Sequence, residues 1–318
     1  MNTVKNDTAT ASPLFSILIP SWNNLPFLRL CVESLRRYSE VDSQIIVHVN
    51  DGSDGTLQWV REQNLDYTHS QENIGVCMAM NMMRTKVKGE YMVFLNDDMY
   101  VLPGWDTALL KEIKALPDNR FFLSSTTIQP HTPGCVIVAD YGDTPETFRL
   151  DDLLRDFRSL PMPDWMGATL PPNVVHRDIW DLAGGYSVEY SPGMYSDPDF
   201  TAKLWLCGIR YMKGISASRV YHFETKSTGR IKKNDGRRQF LMKWGITSST
   251  FRRAMTYKRK PFSADLVNTY DPSILSGGKV RSRLEALRSV IAGKFGPLWK
   301  FTDATPLSEA PRKKGGRG

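Results

Sequence analysis

The chain has 318 residues, 41% of them hydrophobic, and a formal net charge of +7. That is enough for one large α/β domain with an appendage, or for two domains, each burying a core. No apolar stretch approaches the roughly 18–20 residues that a membrane span needs, so a bundle of membrane helices is excluded.

Met1 to Pro13 is polar, lacks the apolar core of a signal peptide and reads as a loose tail. Phe15 to Ile19 is a short apolar run closed by Pro20 and predicts a buried strand. Leu25 to Tyr38 places Phe27, Leu28, Cys31, Leu35 and Tyr38 at helical spacing, with Pro26 suited to the first turn. Gln44 to Val49 predicts a second strand, ending in Asn50-Asp51-Gly52-Ser53. Thr56 to Glu62 reads as a short helix and Asp66 to His69 as a brief strand. Asn73-Ile74-Gly75 opens a Met-rich helix, Val76 to Thr85. Tyr91 to Leu95 is a third buried strand, followed at once by Asn96-Asp97-Asp98. Strands alternating with helices imply right-handed crossovers and a mainly parallel sheet.

The second half is less regular. Phe122 to Ile128 and Gly134 to Ala139 read as strands, and Asp151 to Phe157 as a short helix. A helix spans about Arg177 to Leu182, and another Asp199 to Cys207, stopped by Gly208. Arg210 to Lys213 and Val220 to His222 read as two edge strands. Gln239 to Trp244 and Arg281 to Ile291 are predicted helices, and 301–318 a disordered basic tail.

Three polar clusters each follow a strand: Pro20-Ser21-Trp22, Asn50 to Ser53, and Asn96 to Asp98. Ligands of such sheets bind outside the carboxyl ends of the strands, so the three converge on one edge. Clustered carboxylate and amide oxygens there suit a hard divalent cation, and such an ion naturally holds a diphosphate. Turn residues alone would give the same letters. The four cysteines, Cys31, Cys77, Cys135 and Cys207, form no C-x-x-C pair, which argues against zinc and a disulfide framework and fits a reducing cytoplasm.

In this order the fragments resemble the family 2 glycosyltransferases, over roughly residues 15 to 225. The resemblance runs through Phe15 to Asn23, Val49 to Thr56, Glu72 to Gly75 with Asn81, Gly89 to Asp98, and Pro103-Gly104-Trp105. It continues through Ala183 to Tyr186, Ser196 to Phe200 and Val220-Tyr221-His222. It implies a GT-A fold, a Rossmann-like mainly parallel sheet flanked by helices, over 14–225. Residues 14–105 would form the nucleotide-binding half and 106–225 the acceptor half. A basic, mostly helical region, 226–300, would follow.

The activity it implies is inverting transfer of a sugar from a nucleoside diphosphate donor, UDP-sugars first, to an acceptor hydroxyl, with Mn²⁺ or Mg²⁺. Cell-surface polysaccharide or glycolipid synthesis would be its setting. Asp51 takes the family's base-contacting position. Pro20, Ser21, Trp22 and Asn23 line the nucleoside pocket, with Gly52, Asn73, Gly75, Asn96 and Asp97 also on the donor. Asp98 would be the cation ligand, and His222 stands where relatives place a further metal or diphosphate contact. The catalytic base falls on Asp197 or Asp199, with Asp197 preferred. Asp197-Pro198 is also a good helix start, as N-cap and first helical residue. Trp165, Met166, Gly167 and Ala168 resemble the acceptor-side loop, with apolar core as the rival reading. Arg230, Lys232 and Lys233 fall where relatives carry a closing loop.

Two other classes fit parts of the chain. A sugar nucleotidyltransferase would need a Gly-rich signature with Arg and Lys by the first strand, and Pro20 to Asn24 offers none. A basic module binding nucleic acid or an anionic membrane would use the C-terminal third, where Phe240, Trp244, Phe251 and Tyr257 sit among cations. Arg281 to Trp299 mixes cations with Leu284, Leu287 and other apolar residues. It suits a bilayer surface or packing on the main domain.

Overall fold

The computed structural model describes residues 12–132, 136–168, 170–225 and 234–291. The expectations for Arg230, Lys232, Lys233 and both chain ends lie outside these residues. One mixed sheet organises the molecule. Its N-terminal half is β1 (Phe15–Trp22), β2 (Ser43–Asn50), β3 (Asp66–Ser70) and β4 (Tyr91–Phe94), in the order β3-β2-β1-β4 and all parallel. The other half holds β5 (Met99–Val101), β6 (Phe121–Gln129), β7 (Val136–Val138), β8 (Trp165–Met166), β9 (Asn173–His176) and β10 (Tyr211–His222). β9 runs antiparallel to both β4 and β6 and joins the two halves. β6 and β10 are parallel to each other, and β5 and β8 run antiparallel to β10. The sheet is therefore parallel in its N-terminal half and mixed beyond β4. The carboxyl ends of β1, β2, β4, β6 and β10 still share one edge.

Burial on both faces explains the continuous apolar runs of β1 and β4. Alternate β1 side chains divide between two cores. Ile17 and Ile19 pack with α1 (Leu25–Tyr38) and α4 (Trp105–Ala115). Leu18 packs with α3 (Gly75–Arg84), α6 (Arg177–Ala183) and α7 (Ser196–Leu206). Pro20 has no N–H to give a ladder. It stands just past the last β1–β4 pair, Leu18↔Phe94, where the two strands part.

Several elements depart from the sequence reading. Arg210 to Lys213 and Val220 to His222 belong to one strand, β10, inside the sheet. A register shift between Ile215 and Arg219 hides its continuity. Helix α4, which the sequence reading passes over, buries Trp105, Leu109 and Ile113 at helical spacing. Its Asp106 carboxylate accepts from the backbone N–H groups of Glu40 and Val41. Helix α7 starts at Ser196, three residues before its expected start, and Tyr195 rather than Asp197 is its N-cap. In the C-terminal part, α8 (Gly236–Trp244), α9 (Ser248–Ala254) and α10 (Pro272–Ile291) follow. Phe240, Ile246 and Phe251 share the core that holds Leu18 and Phe200. No helix among the described residues is long and apolar enough to cross a membrane.

Gly214 in β10 lies under the Trp165 ring, whose indole N–H donates to Thr126 Oγ1 at 3.1 Å. A Cβ at residue 214 would stand 1.8 Å from that ring. Overpacking of this kind costs about 1–3 kcal/mol or more. Gly214→Ala is therefore expected to lower the thermal midpoint clearly, and an unchanged melting curve would refute this packing.

Candidate active site

A cavity of about 610 Å³ opens at the carboxyl edge of the sheet. Ser21 and Trp22 line it from the end of β1, Asn50 from β2, and Asn96, Asp97 and Asp98 from the turn after β4. Gln129 ends β6 there. His222, Glu224 and Thr225 enter from the end of β10, and Asp197 from the first turn of α7.

Asp98 is buried and its carboxylate is held from both sides. Oδ2 accepts from the Thr225 N–H at 2.9 Å and the Thr225 hydroxyl at 2.8 Å, and Oδ1 stands 3.4 Å from His222 Nε2. Burial opposes both charges. The pairing outweighs it, holding Asp98 below the ordinary carboxylate range and His222 above the ordinary imidazole one. The Gln129 amide donates to the Thr132 carbonyl at 2.7 Å and to Glu224 Oε1 at 3.2 Å. That turns its own oxygen to His222 Nδ1, 3.1 Å away. The hydrogen-bond network thus keeps a proton on Nδ1 and aims Nε2, protonated when His222 is charged, at Asp98. Asp97, next door, accepts from the Ser21 hydroxyl at 2.7 Å, which ties the acidic turn to the end of β1.

Asp197 faces the same cavity. The Tyr186 hydroxyl donates to its Oδ1 at 3.1 Å. Burial, then the Asp197 charge, raises Tyr186 well above its ordinary value, so this hydroxyl stays protonated. Its ring is clamped between Trp180 and Phe200, with centroids 5.4 and 5.0 Å away. Burial pushes the Asp197 carboxyl up to about 6, against the opposing effects of the Tyr186 bond, Lys258 and Arg252.

The cavity thus gathers Pro20, Ser21, Trp22, Asn73, Gly75, Asn96, Asp97, Asp98, Asp197 and His222. Gly75, at φ +77°, lets the chain pass Pro192, whose Cα would lie 2.6 Å from an added Cβ. The other expected residues stand off this wall. Asp199 turns away from the cavity into the core, fully buried. It accepts from the Trp244 indole at 2.9 Å and pairs with Lys243 at 3.0 Å. Trp165, Met166, Gly167 and Ala168 are buried and do not line the cavity, because β8 pairs with β10 and turns them into the sheet. Asp51 lies outside the wall, which Asn50 forms, and its carboxylate accepts from Asn23 Nδ2 at 2.9 Å. Asn23 and Gly52 also stand off the wall; Asn23 Oδ1 accepts from the Gly52 N–H at 3.0 Å.

Gln129, Glu224, Thr225, Lys258 and Arg259 also line the cavity. The sequence reading assigns none of them to the site. Glu224 and Thr225 lie two and three residues after His222, so proximity to that residue was their one signal. Gln129, Lys258 and Arg259 arrive through long-range pairing, which leaves no local signal.

Residues 16–151 match the family described as Glycosyl transferase family 2. The chain is 30% identical over 258 residues to the hyaluronan synthase of Pasteurella multocida, covering 77% of this chain and 24% of that protein. It is 24% identical over 230 residues to the uncharacterized glycosyltransferase YibD of Escherichia coli, covering 68% and 63%. The chain thus spans less than two thirds of either relative. Among solved structures, GalNAc-T7, crystallised with UDP, GalNAc and Mn²⁺, superposes with a TM-score of 0.53 at 13% identity, over 91% of this chain and 59% of that one. At that identity the likeness speaks for the GT-A fold.

Proposed function

Since this chain carries a glycosyltransferase family 2 domain over residues 16–151, we propose that it transfers a sugar from a nucleoside diphosphate donor to an acceptor hydroxyl, with inversion. One observation carries this reading: Asp97, Asp98, His222 and Asp197, remote in sequence, line a single cavity at the sheet's carboxyl edge. The donor diphosphate belongs at the end formed by Asn96 to Asp98, and Trp22 and Asn50 border the nucleoside. UDP is the favoured nucleotide, by analogy with the UDP-bound fold relative.

Asp98 and His222 fit a divalent cation. Their donor set is one carboxylate and one imidazole nitrogen, Nε2, which would bind a cation on losing its proton while the Gln129 bond keeps the other proton on Nδ1. No group of three or more acidic, His or Cys side chains suited to a metal occurs among the described residues. Two protein ligands, with diphosphate and water completing the shell, is the usual arrangement for Mg²⁺. When bound, such a cation supplies Lewis-acid neutralisation of the charge growing on the departing diphosphate.

Asp197 takes the acceptor proton. Its raised carboxyl is a stronger base than an ordinary aspartate yet is ionised at neutral pH. Tyr186 fixes the orientation of that carboxylate. Asp199, paired with Lys243 in the core, ties α7 to α8 and supports the base from behind.

UDP with Mn²⁺ is expected to raise the thermal midpoint by several degrees at saturation, as any ligand of the native state does. The check is thermal denaturation across a panel of nucleoside diphosphates with and without Mn²⁺ or Mg²⁺. No response to any of them would overturn the donor reading.

A peripheral membrane role is favoured by one feature of α10. Val280, Leu284 and Leu287 form a row at helical spacing and are 59%, 53% and 55% exposed. Exposed Arg281 and Arg288 border the row on one side, Lys279 and Arg283 on the other. An apolar stripe between cations suits an anionic bilayer, where each cation contributes about 1 kcal/mol. The protein is expected to co-sediment with phosphatidylglycerol vesicles at low salt but not with phosphatidylcholine vesicles. Leu284→Glu with Leu287→Glu should release it, and retained binding would exclude this face.

A further inference from the structure

The cavity wall holds cations as well as the acids Asp97, Asp98, Asp197 and Glu224, and the reaction as proposed above does not use them. Lys258 and Arg259, from the turn after α9, line it, and Lys258 is near enough for its charge to act on Asp197. The turn that carries them is built, not incidental. The Lys258 N–H donates to the Arg252 carbonyl at 3.0 Å and the Lys260 N–H to the Tyr257 carbonyl at 3.0 Å. The Met166 N–H donates to the Lys260 carbonyl at 2.9 Å, which fastens the turn to β8. Tyr257 and Arg259 are held at φ +49° and +77°, a conformation that non-glycine residues keep only where their surroundings impose it. Gly167, at φ +86°, lets the turn approach: a Cβ there would lie 3.2 Å from Lys258 Cα.

In an inverting transfer the base lies across the sugar from the leaving diphosphate, so charge beside Asp197 faces the acceptor. A negatively charged acceptor would be repelled by the Asp197 carboxylate unless cations stood beside it. Resting on the transferase reading above, we infer that the acceptor is anionic, bearing a carboxylate or phosphate that Lys258 and Arg259 hold while its hydroxyl meets Asp197. Arg252, whose charge also reaches Asp197, adds to the same field.

The test compares two charged and neutral pairs, glucuronate against glucose and glycerol 3-phosphate against glycerol. Binding is measured by ligand-observed NMR at low salt, on the full chain loaded with UDP and Mn²⁺ and on the unloaded chain. At least one anion is expected to bind about tenfold tighter than its neutral partner, and which one separates carboxylate from phosphate. Lys258→Gln with Arg259→Gln should erase that preference and leave the affinity for UDP with Mn²⁺ unchanged. Equal binding of charged and neutral probes overturns the inference, as does a preference that survives in the double variant. So does a double variant that loses UDP affinity, which would assign these cations to the donor. If UDP with Mn²⁺ does not bind the parent protein, the transferase reading fails, and the four probes on unloaded protein still decide this one.

Discussion

Asp197→Asn is expected to cut the rate of sugar transfer by about 10²–10⁴-fold, the usual contribution of a positioned base, while UDP with Mn²⁺ still binds. Asparagine keeps an oxygen to accept from Tyr186 but cannot take a proton. In the parent, kcat/KM should fall as the pH drops through about 6, where the Asp197 carboxyl becomes protonated. The same shift bears on stability. A carboxyl raised in the folded state holds its proton more tightly there than in the unfolded chain. Its favourable contribution is complete below the unfolded value and is lost as the pH climbs through about 6. At pH 7 the parent carries the penalty of a buried charge that the variant lacks. The variant should therefore melt at the same temperature or higher. Thermal denaturation and a donor-release assay on the same preparation check both points. A variant that transfers sugar normally would remove Asp197 as the base; one that is inactive and melts low would leave unfolding as the cause.

Asp98→Ala should abolish the dependence of UDP binding on Mn²⁺ and also destabilise the protein. It leaves the Thr225 N–H, the Thr225 hydroxyl and His222 Nε2 without the acceptor they now share. An unsatisfied buried polar group costs about 1–3 kcal/mol. Asp98→Asn separates the two effects, because its amide oxygen can still accept from Thr225. It should melt near the parent and still fail to respond to Mn²⁺ when UDP affinity is measured by calorimetry. A full Mn²⁺ response in Asp98→Asn would place the cation elsewhere.

The N-terminal half was legible because its signals are local. Phe15 to Ile19 and Tyr91 to Leu95 are buried on both faces, so their apolar runs are unbroken, and the polar clusters behind them mark the strand ends. The same locality explains the failures. Trp165 to Ala168 shows apolar letters that suit a binding loop as well as a core, and only the pairing of β8 with β10 decides. Asp197 and Asp199 both open α7. At 100° per residue, two positions apart on a helix face different ways. Tyr186 claims the first and Lys243 with Trp244 the second. Neither set of partners is near in sequence. The β10 strand read as two because Ser216 and Ser218 interrupt its apolar pattern at the register shift. There Ser218 Oγ donates to the Trp105 carbonyl at 2.6 Å. Asn50 rather than Asp51 lines the cavity because Asp51 adopts φ +63° and leaves the direction of β2.

Pro20 gives the edge its opening. The last rung between β1 and β4 runs from the Leu95 N–H to the Leu18 carbonyl at 3.0 Å. In a parallel ladder the next would run from the amide of residue 20 to the Leu95 carbonyl, and an imino acid has no hydrogen to supply it. The zipper stops there, and Asn96, Asp97 and Asp98 peel off the sheet instead of continuing it. One absent hydrogen thus sets where the sheet ends and the aqueous cleft begins. The chemistry of the cleft depends on what that residue withholds as much as on what its neighbours provide.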